Sequence, residues 1–296
     1  MLHIRTLTDV DLTTADAIFC AAFHTQGSRI QSLRQNLLLQ PDGWFLALQA
    51  EQPVGLIGCI NYGPFAYVGS LAVLPALQRQ GIGQRLLEHL LLWLEQQGCT
   101  TALLDATPEG ARLYERHAFV DDDSALHWSY PHTLAQSAVN EVLPDTLCHS
   151  DEQQHVEILQ QEDIADLTAF DAQYFGAGRA AVFSLLRMQY PDRSLVLRDA
   201  EGWIRGYLFV QQGILGPWVA ENTEDARLLL AHALRLRLPF DGHPAVFTPG
   251  SNHQSCALLE STGFIRMRVL RHMRRGAPFS LRQPEHLYGL ASFTLG

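Results

Sequence analysis

An apolar run, Leu71-Ala72-Val73-Leu74-Pro75, leads through Gln78-Arg79-Gln80-Gly81-Ile82-Gly83 into an amphipathic helix. Strand, glycine turn and helix in that order aim the helix's free N–H groups and its positive dipole end back at the turn. The two glycines let backbone come close to a bound group, and a diphosphate suits such a place. The turn is not a Walker A loop, because no Lys-Ser/Thr pair follows the glycines. It is not a dinucleotide fingerprint either, since Gln84, Arg85 and Leu86 stand where a third glycine is needed. Taken alone, such a turn serves equally well as a plain connector.

The chain around this turn is 296 residues long, which suggests two domains rather than one core. The longest apolar run, near Leu90-Leu91-Leu92-Trp93-Leu94, is far shorter than the roughly 20 residues of a membrane span. No apolar signal core follows Met1-Leu2-His3-Ile4-Arg5. Cys20, Cys59, Cys99, Cys148 and Cys256 are scattered and contain no Cys-x-x-Cys pair. Together these features predict reduced thiols and a cytoplasmic location, with no membrane contact. The net charge of −10 argues against a nucleic-acid partner, which would call for a basic face.

Hydrophobic patterning fills in the first half. A helix begins near Asp9 and another spans Gln31 to Leu39. Trp44 to Leu48 and Val54 to Ile60 read as a hairpin across Glu51-Gln52-Pro53. Tyr67 to Val73 is the next strand. The helix from Gly83 to Gln97 carries Leu86, Leu87, Leu90, Leu91 and Leu94 on a wide apolar face. Thr101 to Asp105 reads as a buried parallel strand, Glu109 to His117 as a helix, and His127-Trp128-Ser129-Tyr130 as the strand that closes the sheet. Periodicity fades from Pro131 to Gln154, so a boundary is expected there.

The second half repeats this order with a period of about 150 residues, the length of a domain. Leu7 to Leu12 resembles Gln161 to Leu167. Gln52 to Gly58 matches Glu201 to Tyr207, and Leu113 to Phe119 lies over Leu258 to Phe264. Strands are expected at Ser194 to Leu197, Ile204 to Val210, Ile214 to Val219 and Ala245 to Phe247, with helices at Thr223 to Leu236 and Ser255 to Thr262. The tail Leu287 to Phe293 is too apolar for a free end and is expected to pack on the body.

The motifs Val73-Leu74-Pro75, Gln78 to Gly83 and Leu113-Tyr114-Glu115-Arg116-His117-Ala118-Phe119 resemble the acetyl-CoA-binding segment of the GNAT superfamily of N-acetyltransferases. Two departures are visible: Ala118 replaces the usual glycine, and Thr107 stands where asparagine is frequent. The resemblance implies an α/β chain with mixed sheets, in two tandem GNAT-like domains. The expected division is residues 1–132 for the acetyl-CoA domain, 133–154 for a linker and 155–296 for a degenerate copy.

It also implies roles. Backbone N–H groups of Arg79, Gln80, Gly81, Ile82, Gly83 and Gln84, with Gln78 before them, are expected at the diphosphate. Leu71, Ala72 and Val73 form the strand that pairs with the pantetheine arm. Tyr114 is the candidate acid, because a phenol stays protonated at neutral pH and can donate to a departing thiolate. Family members often place a basic carboxylate at the start of the cofactor strand, but Gly69-Ser70 stand there. Asp105 is the nearest carboxylate and serves equally as a helix cap; Tyr67, Tyr62 or a held water are the alternatives. No metal is expected: His127 and His132, or His149 and His155, lack ligand spacing.

In the second copy Val219-Ala220-Glu221-Asn222-Thr223-Glu224-Asp225 replaces the glycine turn, and Leu259 replaces Tyr114. Carboxylates at a helix start repel a diphosphate. The expectation is an acetyl-CoA-dependent N-acyltransferase acting on a primary amine of a small molecule or peptide. Its second half would shape the cleft or a homodimer. The alternative is a non-catalytic acyl-CoA-binding or regulatory protein.

Overall fold

The computed structural model describes residues 1–131, 155–236, 243–278 and 281–296; the predicted linker at 133–154 lies outside them. The first half runs β1 (Leu2–Thr6), α1 (Leu12–Phe23), α2 (Ile30–Leu39), β2 (Trp44–Gln49), β3 (Gln52–Asn61), β4 (Ala66–Val73), α3 (Ile82–Gln96), β5 (Ala102–Ala106), α4 (Pro108–Glu115) and β6 (Val120–Ser129). The second runs β7 (His155–Ile158), α5 (Ile164–Phe175), α6 (Ala180–Gln189), β8 (Ser194–Arg198), β9 (Ile204–Val210), β10 (Leu215–Ala220), α7 (Thr223–Arg235), β11 (Ala245–Pro249), α8 (His253–Ser261), β12 (Ile265–Arg275) and β13 (Leu287–Gly289).

Local chemistry accounts for most boundaries. The α3 leucines read as its apolar face, Leu86, Leu87, Leu90, Leu91 and Leu94, are all buried against β3 and β4. Thr107 caps α4 by accepting the Gly110 N–H at 3.2 Å, and Pro108 sits in the first turn, where its missing N–H costs nothing. Just ahead of the first helix Asp11 closes a short turn: its carboxylate accepts the Thr8 N–H at 2.9 Å and two Arg5 bonds at 2.7 Å. Those partners, Arg5 foremost, hold the Asp11 carboxyl down to about 2 from 3.8. The stability this carboxylate adds is therefore present above 3.8 and lost as the pH falls through about 2. Asp11→Asn should lack that acid-sensitive component in urea melts taken across the range.

The strand β12 is absent from the patterning above, and it reorganises the sheets. The strand order is β1-β2-β3-β4-β5-β12-β6-β11 in an eight-stranded sheet and β13-β10-β9-β8-β7 in a five-stranded one. His127 to Ser129 therefore do not close a first-half sheet. β6 pairs with β12 on one side and β11 on the other, while β12 reaches across to β5. Each half thus lends its last long strand to the other, around an approximate two-fold axis near the Ala125–Leu270 pair. Met273 enters the core under α3 as Trp128 enters the core under α7, which places the two copies in register.

Helices α5 and α6 are pinned by a buried ion pair. Arg179 donates to both Asp171 oxygens at 2.8 Å, lies 3.7 Å over the Phe175 ring and donates to Tyr207 Oη at 3.0 Å. Phe175 in turn packs on Tyr62 and Phe65 of the first half. Asp171→Ala strands the Arg179 charge, so the expected loss is about 3–5 kcal/mol in chemical denaturation.

Candidate functional site

Strands β4 and β5 run parallel for only two pairs, Ala66–Ala102 and Tyr67–Leu103. Two features drive them apart. Between Gly69 and Ala72, β4 carries one residue more than β3 opposite it, and Ser70 adopts φ 56°, so the strand bulges and bends there. β5 meanwhile turns its remaining edge to β12. Leu74 gives its N–H to Val54, so alternation points the backbone groups of Val73 and Leu71 into the gap. The Ala72 side chain faces the other way, into the core beneath α1.

The gap opens onto the turn before α3. Gly81 precedes the helix at φ 82°, and a Cβ there would meet nothing within 4 Å. Arg79 is also left-handed, at φ 61°. The first N–H groups of α3, at Ile82, Gly83 and Gln84, have no acceptor one turn back inside the helix, and no acidic residue occupies its first turn. Gln78 braces the turn from its side chain, donating to the Val73 carbonyl at 3.1 Å, and Gln80 donates to Ala76 at 3.4 Å. The Gln84 amide turns away to Glu88 at 2.8 Å. Ile82 is buried in the core, so it offers the turn only backbone. Among the described residues no group of His, Cys, Asp or Glu is arranged to hold a metal, and no helix is long and apolar enough to cross a membrane.

Tyr114 lies on α4, on the α3 side of the sheet, with its ring 5.6 Å from that of Phe119. Its hydroxyl has no hydrogen-bond partner among the described residues, and burial pushes its pKa above the usual phenol value. It is a protonated donor engaged by no described side chain or backbone group.

Asp105 points to the opposite face, and there the sequence reading was incomplete. Its carboxylate caps no helix. One oxygen accepts Tyr67 Oη–H at 2.6 Å and the other lies 2.7 Å from Nδ1 of His272, which β12 brings from the second half. Arg282 lies 3.1 Å from the other ring nitrogen, Nε2. A guanidinium can only donate, so Nε2 accepts and the imidazole proton sits on Nδ1, facing Asp105. Burial, then the Asp105 charge, raise the Tyr67 pKa well above the ordinary value, so Tyr67 is a donor here rather than a base. Tyr62 is committed too, donating to the Leu295 carbonyl at 2.7 Å. Over Gly69, where a family carboxylate is frequent, the tail passes so closely that a Cβ would lie 2.8 Å from Thr294 Oγ1.

The second copy provides the comparison. In the shared register His127 stands where His272 stands, and Phe247 where Asp105 stands. There the His127 Nδ1 is buried without a hydrogen-bond partner among the described residues, against the Phe247 ring at 5.1 Å. The acid survives in one copy alone. Nor does the second copy keep the gap: β10 and β11 share one bridge, Ile214–Ala245, and the tail strand β13 lies between them, paired at Trp218–Gly289 and Val219–Leu287. The start of α7 is already satisfied, since Asn222 accepts the N–H groups of Glu224 and Asp225 at 3.0 and 2.9 Å. Arg205 takes Glu221 at 3.0 Å and Asp225 at 3.2 Å.

Beside His272 lies a cavity of about 290 Å³ between the halves, lined by Leu103, Asp123, Ser251, His272, Arg282 and Leu290 among others. Its acid Asp123 is engaged by the Ser251 hydroxyl at 2.6 Å. Arg282 has no carboxylate partner among the described residues, and its Nε is buried and unmet. Leaving such a donor unsatisfied costs on the order of 1–3 kcal/mol.

With this geometry in view, the comparisons with known proteins are specific. Residues 11–119 match the model of the Acetyltransferase (GNAT) family, and residues 167–289 match that of the Acetyltransferase (GNAT) domain. No curated protein matched the chain. Among solved structures, a proposed acetyltransferase of Pyrococcus horikoshii superposes with a TM-score of 0.82 at 23% identity, covering 100% of this chain and 96% of that one. A GCN5-related N-acetyltransferase of Sphaerobacter thermophilus gives 0.69 at 12%, over 95% and 98%. A tandem GNAT protein from the clavulanic acid biosynthesis pathway gives 0.62 at 16%, over 94% and 99%.

Proposed function

Because the chain belongs to the GNAT acetyltransferase family, in two copies of its fold, we infer that it is an acetyl-CoA-dependent N-acyltransferase working from its first half. The observation that carries this reading is the open β4–β5 gap above a left-handed glycine turn, beside the same gap plugged by β13 in the second copy. Leu71 and Val73 would pair with the amide groups of the pantetheine arm, and the N–H groups from Arg79 to Gln84 would hold the diphosphate. Acetyl-CoA supplies a thioester whose carbon forms the new C–N bond as its C–S bond breaks.

The residues on the two faces divide the proton traffic. Nε2 of His272, held by Asp105, takes a proton from the ammonium form of the acceptor, leaving the lone pair that attacks. Tyr114 gives its phenolic proton to the departing sulfur and regains one from the new amide nitrogen. Asp105 is then a positioning residue, which replaces the direct role considered for it from sequence. Oxygen-to-imidazole pairs of this kind fix the tautomer and ring orientation a general base requires.

Release of free thiol from acetyl-CoA across a panel of primary amines tests the reading; a chain that binds the cofactor and releases none with any amine is a binder. Calorimetric titration should find one acetyl-CoA per chain. Two equivalent sites would contradict the division between the halves.

A further inference from the structure

Resting on that reading, we propose that the acceptor is an amine that also carries a carboxylate, of α-amino-acid size, and that Arg282 binds this carboxylate in the cavity between the halves. Three observations converge on Arg282. Its guanidinium lines the cavity, has no carboxylate partner among the described residues, and keeps a buried Nε–H without an acceptor. Its other neighbours are neutral or aromatic: Nε2 of His272 at 3.1 Å and the rings of Tyr67 and Phe175 at 5.9 and 5.8 Å. Neither aromatic faces nor a neutral imidazole cancels the guanidinium's charge, which stays available to an anion. The two acids of the same wall are already engaged, Asp123 by Ser251 and Asp122 by Arg274 at 2.9 Å. Asp122 is thereby paired with a cation, and neither carboxylate is paired with Arg282.

The contact to Nε2 gives the carboxylate a second effect. A terminal nitrogen of Arg282 covers the lone pair that the base needs. A planar, bidentate carboxylate satisfies Nε and one terminal nitrogen together and is the better acceptor. It draws the guanidinium off the imidazole and leaves Nε2 facing the amine of the same molecule. A simple amine lacks that lever and meets a base still covered. The volume, about 290 Å³, suits an amino acid and falls below the usual range for larger ligands.

The test compares matched triplets by thiol release with acetyl-CoA: L-amino acids, the amines lacking their carboxylate, and the acids lacking their amine. At least one amino acid should exceed its amine by about 10²-fold in kcat/KM, because a site built around a hydrogen-bonded group rejects the analogue without it. The matching acid should inhibit competitively. Arg282→Ala should collapse the ratio between amino acid and amine toward one, with Arg282→Lys between. Equal use of amino acid and amine by the wild type, or a ratio unmoved in Arg282→Ala, overturns the proposal while leaving the acyltransferase reading intact. So does a protein that binds acetyl-CoA but neither turns over an amino acid nor gains thermal stability from one. Failure to bind acetyl-CoA at all overturns the underlying reading instead.

Discussion

Gly81→Asp is expected to remove measurable acetyl-CoA binding while the protein stays folded. The position is exposed, and a Cβ there would touch nothing within 4 Å, so no packing is lost. Its φ of 82° makes any side chain strained, by roughly 1–2 kcal/mol. Arg79 already tolerates φ 61° two residues earlier, so the chain bears such a cost. What the substitution adds is a carboxylate at the mouth of a helix dipole that would otherwise meet a diphosphate. Gly83 separates shape from charge: its added Cβ would lie 3.6 Å from Leu113 and 3.8 Å from Val73, ordinary contact distances. Gly83→Ala should therefore weaken binding far less. Calorimetry reads both variants beside a thermal melt. An unchanged dissociation constant in folded Gly81→Asp would move the cofactor elsewhere.

Tyr114→Phe should lower kcat by about 10²-fold or more, the usual contribution of a general acid. The ring packs against Phe119 and the α4 core, and that packing survives the loss of oxygen. Because the hydroxyl bonds nothing among the described residues, its removal orphans no partner and stability should change little. The effect should fall on kcat with cofactor affinity retained. Wild-type turnover in the phenylalanine variant would reduce Tyr114 to a packing residue.

How much of this was legible in the chain depends on the range of the physics involved. The α3 face, the glycine turn and the α4 tyrosine are set by residues within a turn or two of one another. Their spacing announces them in the sequence. The acidic start of α7 was legible for the same reason, since Glu221, Glu224 and Asp225 sit together in the chain.

The strand β12 carries a weak local signal. Ile265-Arg266-Met267-Arg268-Val269 alternates with the period of a strand, although its arginines disguise it and its apolar members end up exposed. No local pattern could say where that strand goes. Its partner β5 lies far back in the chain, and only the exchange of long strands between the halves sets His272 against Asp105, 167 residues away. The tail is similar: its apolar composition predicted that it would pack, while tertiary structure alone put β13 into the second gap and Thr294 over Gly69. Short-range turn geometry and helix periodicity thus determined, from sequence, two copies of one fold and a glycine turn before α3 in the first. The His272–Asp105 pair and the cavity beside it arise between segments that the sequence keeps far apart, because pairing of distant strands depends on the edges and faces left open by the rest of the fold.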